Sequence, residues 1–297
     1  MAVRRASKTA DVTGAVRGSH LLHDQPPFVF TDPYALRLTS AGWRAVVRVP
    51  ALHWLVVQKL LARFRTVHGE MLARARFCED ALQQAVERGI RQYVIIGAGL
   101  DSFALRRRDL AGQLTVFELD HPASQAAKRA RLGRLGEGIP GNLVFVPVDL
   151  ERETVDEALT RSRFDRDAPA FFGWLGVTYY LSREAVSGTL RAIAGTAAVG
   201  SEVALDYSIP AEMLPPEERD RLQHVLAYVA RRGEPWLSFF EPDDFARGVQ
   251  ALGYEVIANV PPEEQERLYF LGRHDDLSGP KWPRFAHLRL NRRPASA

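Results

Sequence analysis

Several large protein classes are closed to this 297-residue chain by what it lacks. Its single cysteine, Cys78, excludes a disulfide framework and any zinc or iron–sulfur site built on several cysteines. No run of about 18 uncharged apolar residues occurs, so no segment is expected to span a membrane. The basic start (Arg4, Arg5, Lys8) lacks an apolar stretch behind it and is not expected to act as a secretory signal. Internal repeats and low-complexity stretches are absent. His20, His23, His53, His68, His224, His274 and His287 show no metal-ligand spacing, so no metal is expected. What remains is an ordinary globular balance, 46% hydrophobic and 25% charged. A chain this long can bury a sizeable core without staples. The expectation is a soluble, cytoplasmic protein.

Charge is distributed unevenly. The net value is +3, with +3 in the first 20 residues and +5 from Lys281 onward, which leaves the body between them at −5. A mildly acidic body binds a phosphate backbone poorly, so no nucleic-acid partner is expected. Residues 1–30 are polar and turn-rich and are expected to be a loose, flexible segment; residues 281–297 are expected to form a basic tail. Between them, 31–280 reads as one domain.

Within that domain the apolar pattern changes period. Leu52, Leu55, Val56, Leu60 and Phe64 recur at helical spacing, so 31–90 reads as a helical cap. Short β-branched or aromatic runs then follow at 92–97, 114–119, 143–148, 170–175, 202–207, 254–260 and 267–272. Helical stretches at 122–135, 154–162 and 183–194 separate several of them. Strands alternating with helices require a parallel sheet covered on both faces. The short link between the last two runs turns the chain back antiparallel. The expected fold is therefore α/β: seven strands, mostly parallel, with one antiparallel edge strand. Residues 209–240, rich in Pro, Glu and aromatics, read as an insertion capping the carboxyl ends of the strands, where open α/β sheets bind ligands.

The candidate binding residues fall at those ends. Gly97-Ala98-Gly99-Leu100-Asp101-Ser102 follows the first strand; glycine there permits a sharp turn and a close backbone approach to a ligand. Asp120 ends the second strand, 23 residues beyond Gly97, at a spacing that suits ribose hydroxyls. It equally suits a helix cap, since His121-Pro122 follow. Asp149-Leu150 closes the third strand, where an acid can accept from an adenine amine and the leucine can pack on the ring. Ser102 stands where a dinucleotide fingerprint usually has its third glycine, which favours S-adenosylmethionine over a nicotinamide dinucleotide.

These residues belong to an ordered set. Asp32-Pro33-Tyr34, Arg74-Ala75-Arg76-Phe77 with Glu79-Asp80, GAGLDS at 97–102 with Arg106, VFELDHPASQAAKRARL at 116–132, FVPVDLE at 145–151, WLGVTYYLSREAV at 174–186 and Asp206-Tyr207-Ser208 follow one another. In this the chain resembles the S-adenosylmethionine-dependent O-methyltransferases that include leucine carboxyl methyltransferase and its bacterial relatives. The resemblance implies a Rossmann-like methyltransferase sheet and S-adenosylmethionine as cofactor. It implies an arginine for the cofactor carboxylate, Arg76 first and Arg74 second. Gly97 and Gly99 would line the methionine end, Asp120 the ribose, and Asp149 with Leu150 the adenine, with Ala98, Asp101 and Trp174 also among the cofactor-binding residues. Tyr179, Tyr207 and His121 are candidates for flanking the methyl group or serving the acceptor. Leucine carboxyl methyltransferase has a glutamate at the fourth strand where this chain reads Trp174-Leu175-Gly176-Val177, which turns the expectation from a protein tail to a small molecule, such as a carboxylate of secondary metabolism. A nicotinamide-dependent oxidoreductase and a non-catalytic S-adenosylmethionine-binding module remain as alternatives, and the oligomeric state is open.

Overall fold

In the computed structural model, residues 8–136, 138–150 and 152–293 are described. Helix α1 (Lys8–His23) opens the described chain, followed by α2 (Ala35–Leu38), α3 (Ala41–Arg48), α4 (Pro50–His53), a π-helical stretch Trp54–Leu60 and the long α5 (Arg65–Glu87). Strands β1 (Gln92–Ile96), β2 (Thr115–Asp120), β3 (Leu143–Pro147), β4 (Ala170–Trp174) and β5 (Glu202–Ser208) then alternate with α6 (Phe103–Arg106), α7 (Pro122–Arg134), α8 (Val155–Thr160) and α9 (Arg183–Thr196). Helices α10 (Pro216–Ala230) and α11 (Pro242–Ala251), strand β6 (Tyr254–Val260), helix α12 (Pro262–Tyr269) and strand β7 (Pro283–Leu290) complete it.

The seven strands form one sheet in the order β3-β2-β1-β4-β5-β7-β6. The first five are parallel; β7 runs opposite to its neighbours β5 and β6, so the antiparallel pairing is confined to one side of the sheet. Successive strand residues point to opposite faces, and here both faces are buried. Val94 and Ile96 of β1, Phe172 and Trp174 of β4, and Val203, Leu205 and Tyr207 of β5 enter the layer built with α8, α9 and α11. Tyr93 and Ile95, Phe171 and Ala204 enter the opposite layer, built on α5.

Two expectations about the termini fail. Residues 8–23 are not loose: Ala15 and Val16 are buried, and Asp11 is paired with Arg131 at 2.7 Å. The face of α1 turned inward carries two glycines beside Ala15, Val16 and His20. A Cβ on Gly14 or Gly18 would come within 2.7 Å of Thr39 or Leu36, so the missing side chains let α1 lie flush on the α2 region. A face of that kind carries no apolar periodicity. Residues 1–7, with Arg4 and Arg5, lie outside the described residues.

The second failure concerns the end of the chain. The expected strand at 267–272 overlaps α12, which begins at Pro262 with Glu263 and Glu264 in its first turn, a favourable helix start. The seventh strand lies instead inside the expected basic tail, at Pro283–Leu290. Phe285, Ala286, Leu288 and Leu290 are buried, and two of the tail's arginines find partners across the sheet. Arg289 reaches Glu202 at 3.1 Å, and Arg284 donates to the Asn259 side chain. Residues 294–297 lie outside the described residues.

Glu202 is the electrostatic centre of that seam, within 2.8 Å of both Arg88 and His287. Burial alone would raise its pKa, but His287 and Arg88 outweigh burial and hold it at about 2. A depressed carboxylate stabilises the fold at pH values above its ordinary range and loses that contribution as pH falls toward 2. The Glu202→Gln variant is expected to lose about 1–3 kcal/mol at neutral pH, allowing for solvent around the arginines. Urea denaturation across pH should show the wild-type advantage vanish between pH ~4.5 and ~2. An advantage that persists at pH ~2 contradicts this account.

Candidate functional site

The turn after β1 has two glycines in the left-handed region, Gly97 at φ 73° and Gly99 at φ 53°. It is tied to the tip of β2: the Gly97 and Ala98 amides donate to the Leu119 carbonyl, and the Gly99 amide donates to Asp120 Oδ2 at 2.5 Å. Asp120 Oδ1 accepts from the His121 amide at 2.6 Å. Burial pushes the Asp120 pKa up while those two amides pull against it. A carboxylate so placed has lone pairs left for further donors beside the turn. Asp101, at the end of the turn, accepts from the Phe103 amide and lies 3.7 Å from Arg17. Burial acts to raise its pKa, but Arg17, Arg106 and Lys128 prevail and keep it low.

Neighbouring strand tips extend this row. Asp149 follows β3, its backbone carbonyl accepting from the amides of Arg152 and Glu153, and Leu150 beside it is exposed. Glu151 lies outside the described residues. Beyond β4, Gly176 has φ 70° and the Arg74 guanidinium lies against its face: a Cβ there would sit 2.5 Å from Nη2. Arg74 Nη1 donates to Glu70 at 2.8 Å and to the Tyr179 hydroxyl at 2.6 Å, with Asp206 at 3.4 Å. Asp206 also accepts from the Gly176 amide at 2.6 Å. All four side chains are buried. Burial raises the Glu70 pKa, with Arg74 opposing it. The Tyr179 phenol is likewise driven far above its ordinary value, chiefly by burial, and stays protonated at neutral pH.

A roof covers the row. Ala10 of α1 stands 3.0 Å from where a Cβ of Gly99 would be, and Val177 stands 2.9 Å from that of Gly97. The segment after α10 closes the other side, with Trp236 stacked on Tyr179 at 4.3 Å and the Leu237 amide donating to the Tyr179 carbonyl. The two sides of the roof meet where Thr9 donates to Glu234 at 2.6 Å.

Five expected site residues stand elsewhere or in other roles. Arg76 is half-exposed and paired with Asp80 on the outer face of α5, because two residues along a helix turn the side chain about 200° from Arg74. Trp174 and Tyr207 point into the α9–α11 layer, as the strand alternation demands; Tyr207 stacks on Phe245 at 4.2 Å and donates to Asn259. His121 caps α7, its Nδ1 accepting from the Ala123 amide, which occupies the nitrogen a general base would use. Ala98 is buried in the α5-side core. The row therefore holds Gly97, Gly99, Asp101, Asp120, Asp149, Leu150, Arg74 and Tyr179.

Glu70 and Asp206 complete the arginine's surroundings and had no role in the sequence reading. Alternation could have found Asp206, since it faces opposite to Tyr207; the four-residue step from Glu70 to Arg74 could have found Glu70. A second network joins motif residues that are distant in sequence. Asp32 accepts from Ser102 Oγ at 2.7 Å and lies 3.4 Å from Arg17, while Arg106 binds Ser102 and Glu79.

Comparison with known proteins shows the family. The sequence profile of leucine carboxyl methyltransferases matches residues 12–194. The chain belongs to the leucine carboxyl methyltransferase family. Among its relatives is "Putative S-adenosyl-L-methionine-dependent methyltransferase YktD" of Bacillus subtilis, 34% identical over 207 residues, 70% of this chain and 68% of that protein. A Mycobacterium avium relative of the same description is 33% identical over 276 residues, 86% of this chain and 85% of its own. A solved DUF574-family structure from Streptomyces avermitilis shares the fold, with TM-score 0.61 at 16% identity over 96% of this chain and 97% of that one. A Thermobifida fusca structure does so at TM-score 0.60 and 16% identity, over 99% and 97%.

The packing at Gly176 can be tested directly. Gly176→Ala places a Cβ against Arg74 in a left-handed backbone and should destabilise the fold by about 1–3 kcal/mol in urea denaturation. Gly188→Ala, on α9 with open space around it, should be neutral or stabilising by up to about 1 kcal/mol. Equal effects at the two sites contradict the assignment.

Proposed function

We propose that this methyltransferase, with S-adenosylmethionine as its donor, transfers the methyl group to an oxygen of a small-molecule acceptor, a carboxylate foremost. The cofactor reading rests on the row of strand tips. Arg74 would take the methionine carboxylate: Nη1 is engaged by Glu70, Tyr179 and Asp206, while Nη2 lies over Gly176 and donates to no described residue. Asp120 would accept from the ribose hydroxyls, Asp149 from the adenine amine, and exposed Leu150 would cover the ring. The pyrophosphate of a dinucleotide has no equivalent support, because Ser102 is turned away to Asp32.

When bound, the cofactor supplies an electrophilic methyl on a sulfonium, to be displaced in line. The chain's part is to align the partners and exclude water, which carries much of the barrier reduction. The Ala10–Val177 and Trp236 roof provides that exclusion. The observation that carries the acceptor class is the absence of a usable base among the candidate residues named for that role. Tyr179 is held protonated by burial, Tyr207 is in the core, and His121 Nδ1 is occupied as a cap. A carboxylate is already ionised at neutral pH and needs none, whereas a phenol or alcohol does.

Calorimetry with S-adenosylhomocysteine tests the binding residues. Arg74→Lys and Asp120→Asn should each weaken binding by roughly tenfold or more, the scale of a lost charged hydrogen bond. Arg76→Ala should change it by less than about twofold, as for an exposed pair. If Arg76→Ala weakens binding and Arg74→Lys does not, the assignment is reversed. For the acceptor, methyl release with carboxylate substrates should be flat across neutral pH. Turnover confined to phenols, rising with pH, contradicts the carboxylate.

A further inference from the structure

From residue 33 to residue 69 the chain contains no acid, yet carries Arg37, Arg44, Arg48, Lys59, Arg63 and Arg65. The structure folds the centre of this stretch into α4 and the π-helical turn, with two distinct faces. The inner face is anchored: His53 is buried, bonded to Ser19 at 2.9 Å and stacked on His23 at 3.6 Å. Val57, Gln58 and Ala62 line a cavity of about 150 Å³ together with Arg65 and His68. The outer face is bare. Val49, Leu52, Trp54, Leu55 and Leu60 are 39–62% exposed within twelve residues, among exposed Arg48, Lys59 and Arg63. Lys59 Nζ sits 5.1 Å over the Trp54 ring. The other large exposed apolar residues are spread along the rest of the described chain.

We propose that this face docks on an anionic lipid surface. Its composition is that of an interfacial helix: exposed apolar side chains including tryptophan, within a segment whose only charges are positive. Scattered apolar residues need no partner, but a concentrated patch marks a contact. Charge decides which contact. A two-fold pairing of this face with a second copy would bring arginines and lysines of like sign together, whereas acidic headgroups attract each of them. The acids that line the cavity beneath, Asp24 and Asp275, are engaged by His20 and Arg273. The lack of a membrane-spanning helix among the described residues is no obstacle, since an interfacial segment lies in the surface and does not cross it. This surface is independent of the cofactor row and its test does not involve turnover.

Flotation of the full chain with phosphatidylcholine vesicles, with and without phosphatidylglycerol, reads the proposal. Wild type should partition to the anionic vesicles roughly tenfold or more better than to neutral ones, and be released by salt. Leu55→Ser combined with Leu60→Ser should lower that partitioning by roughly tenfold, and Lys59→Glu with Arg63→Glu should remove the preference for anionic lipid. Trp54→Phe should bind as wild type does while the blue shift of tryptophan emission on binding is lost. The variants are surface changes, and circular dichroism confirms that those compared are folded. Equal partitioning to both vesicles, no partitioning, or unaltered binding by folded leucine variants overturns the proposal. So does a dimer in vesicle-free solution that the leucine variants dissolve, because the face would then belong to a second copy.

Discussion

A buried guanidinium must have acceptors on several sides, and that requirement at Arg74 organises the functional end of the molecule. Glu70 supplies one from the same helix, and Asp206 a second from β5. The Tyr179 hydroxyl supplies a third from the turn that follows β4. Stripping a charge of water is tolerable only when such partners are in place. The consequence is geometric: α5 cannot shift along the sheet without breaking contacts to β5 and to the turn after β4. Gly176 is small because the arginine occupies the place of its side chain. The same set leaves Nη2 against Gly176, donating to no described residue.

The second network secures the roof to that row. Asp32 precedes α2 and caps it through the Ala35 amide, yet it also receives Ser102 Oγ from the helix after the glycine turn. Arg17 of α1 lies between Asp32 and Asp101. Motif residues spread from 32 to 106 are therefore one object in space, joining the helical cap to the turn it covers. The Thr9–Glu234 contact joins the cap to the segment after α10, so the roof is continuous over Gly97 and Gly99.

Most of the sheet was legible in the sequence because parallel strands buried on both faces read as continuous apolar runs, and those at 92–96, 115–120, 143–147 and 170–174 did so. Strand tips bearing Gly97, Asp120 and Asp149 were legible for the same reason: a glycine or acid ending such a run is conspicuous. The choice between Arg74 and Arg76 was not, since both lie on one helix and only the sheet beneath decides which faces inward. Trp174 and Tyr207 were misplaced because the direction of alternation within a doubly buried strand has no sequence mark. The strand Pro283–Leu290 was hidden by its arginines, whose partners Glu202 and Asn259 come from distant strands. Helix α1 escaped notice because Gly14 and Gly18, which allow its close packing, are poor helix formers.

In the proposed complex, Arg74 and Asp120 hold opposite ends of one ligand lying across the strand tips. A crystal structure of the chain with S-adenosylhomocysteine tests it most directly. The account requires the amino-acid carboxylate within hydrogen-bond distance of Arg74 and both ribose hydroxyls on Asp120. A ligand whose carboxylate lies beyond reach of Arg74, or whose ribose sits away from Asp120, contradicts it.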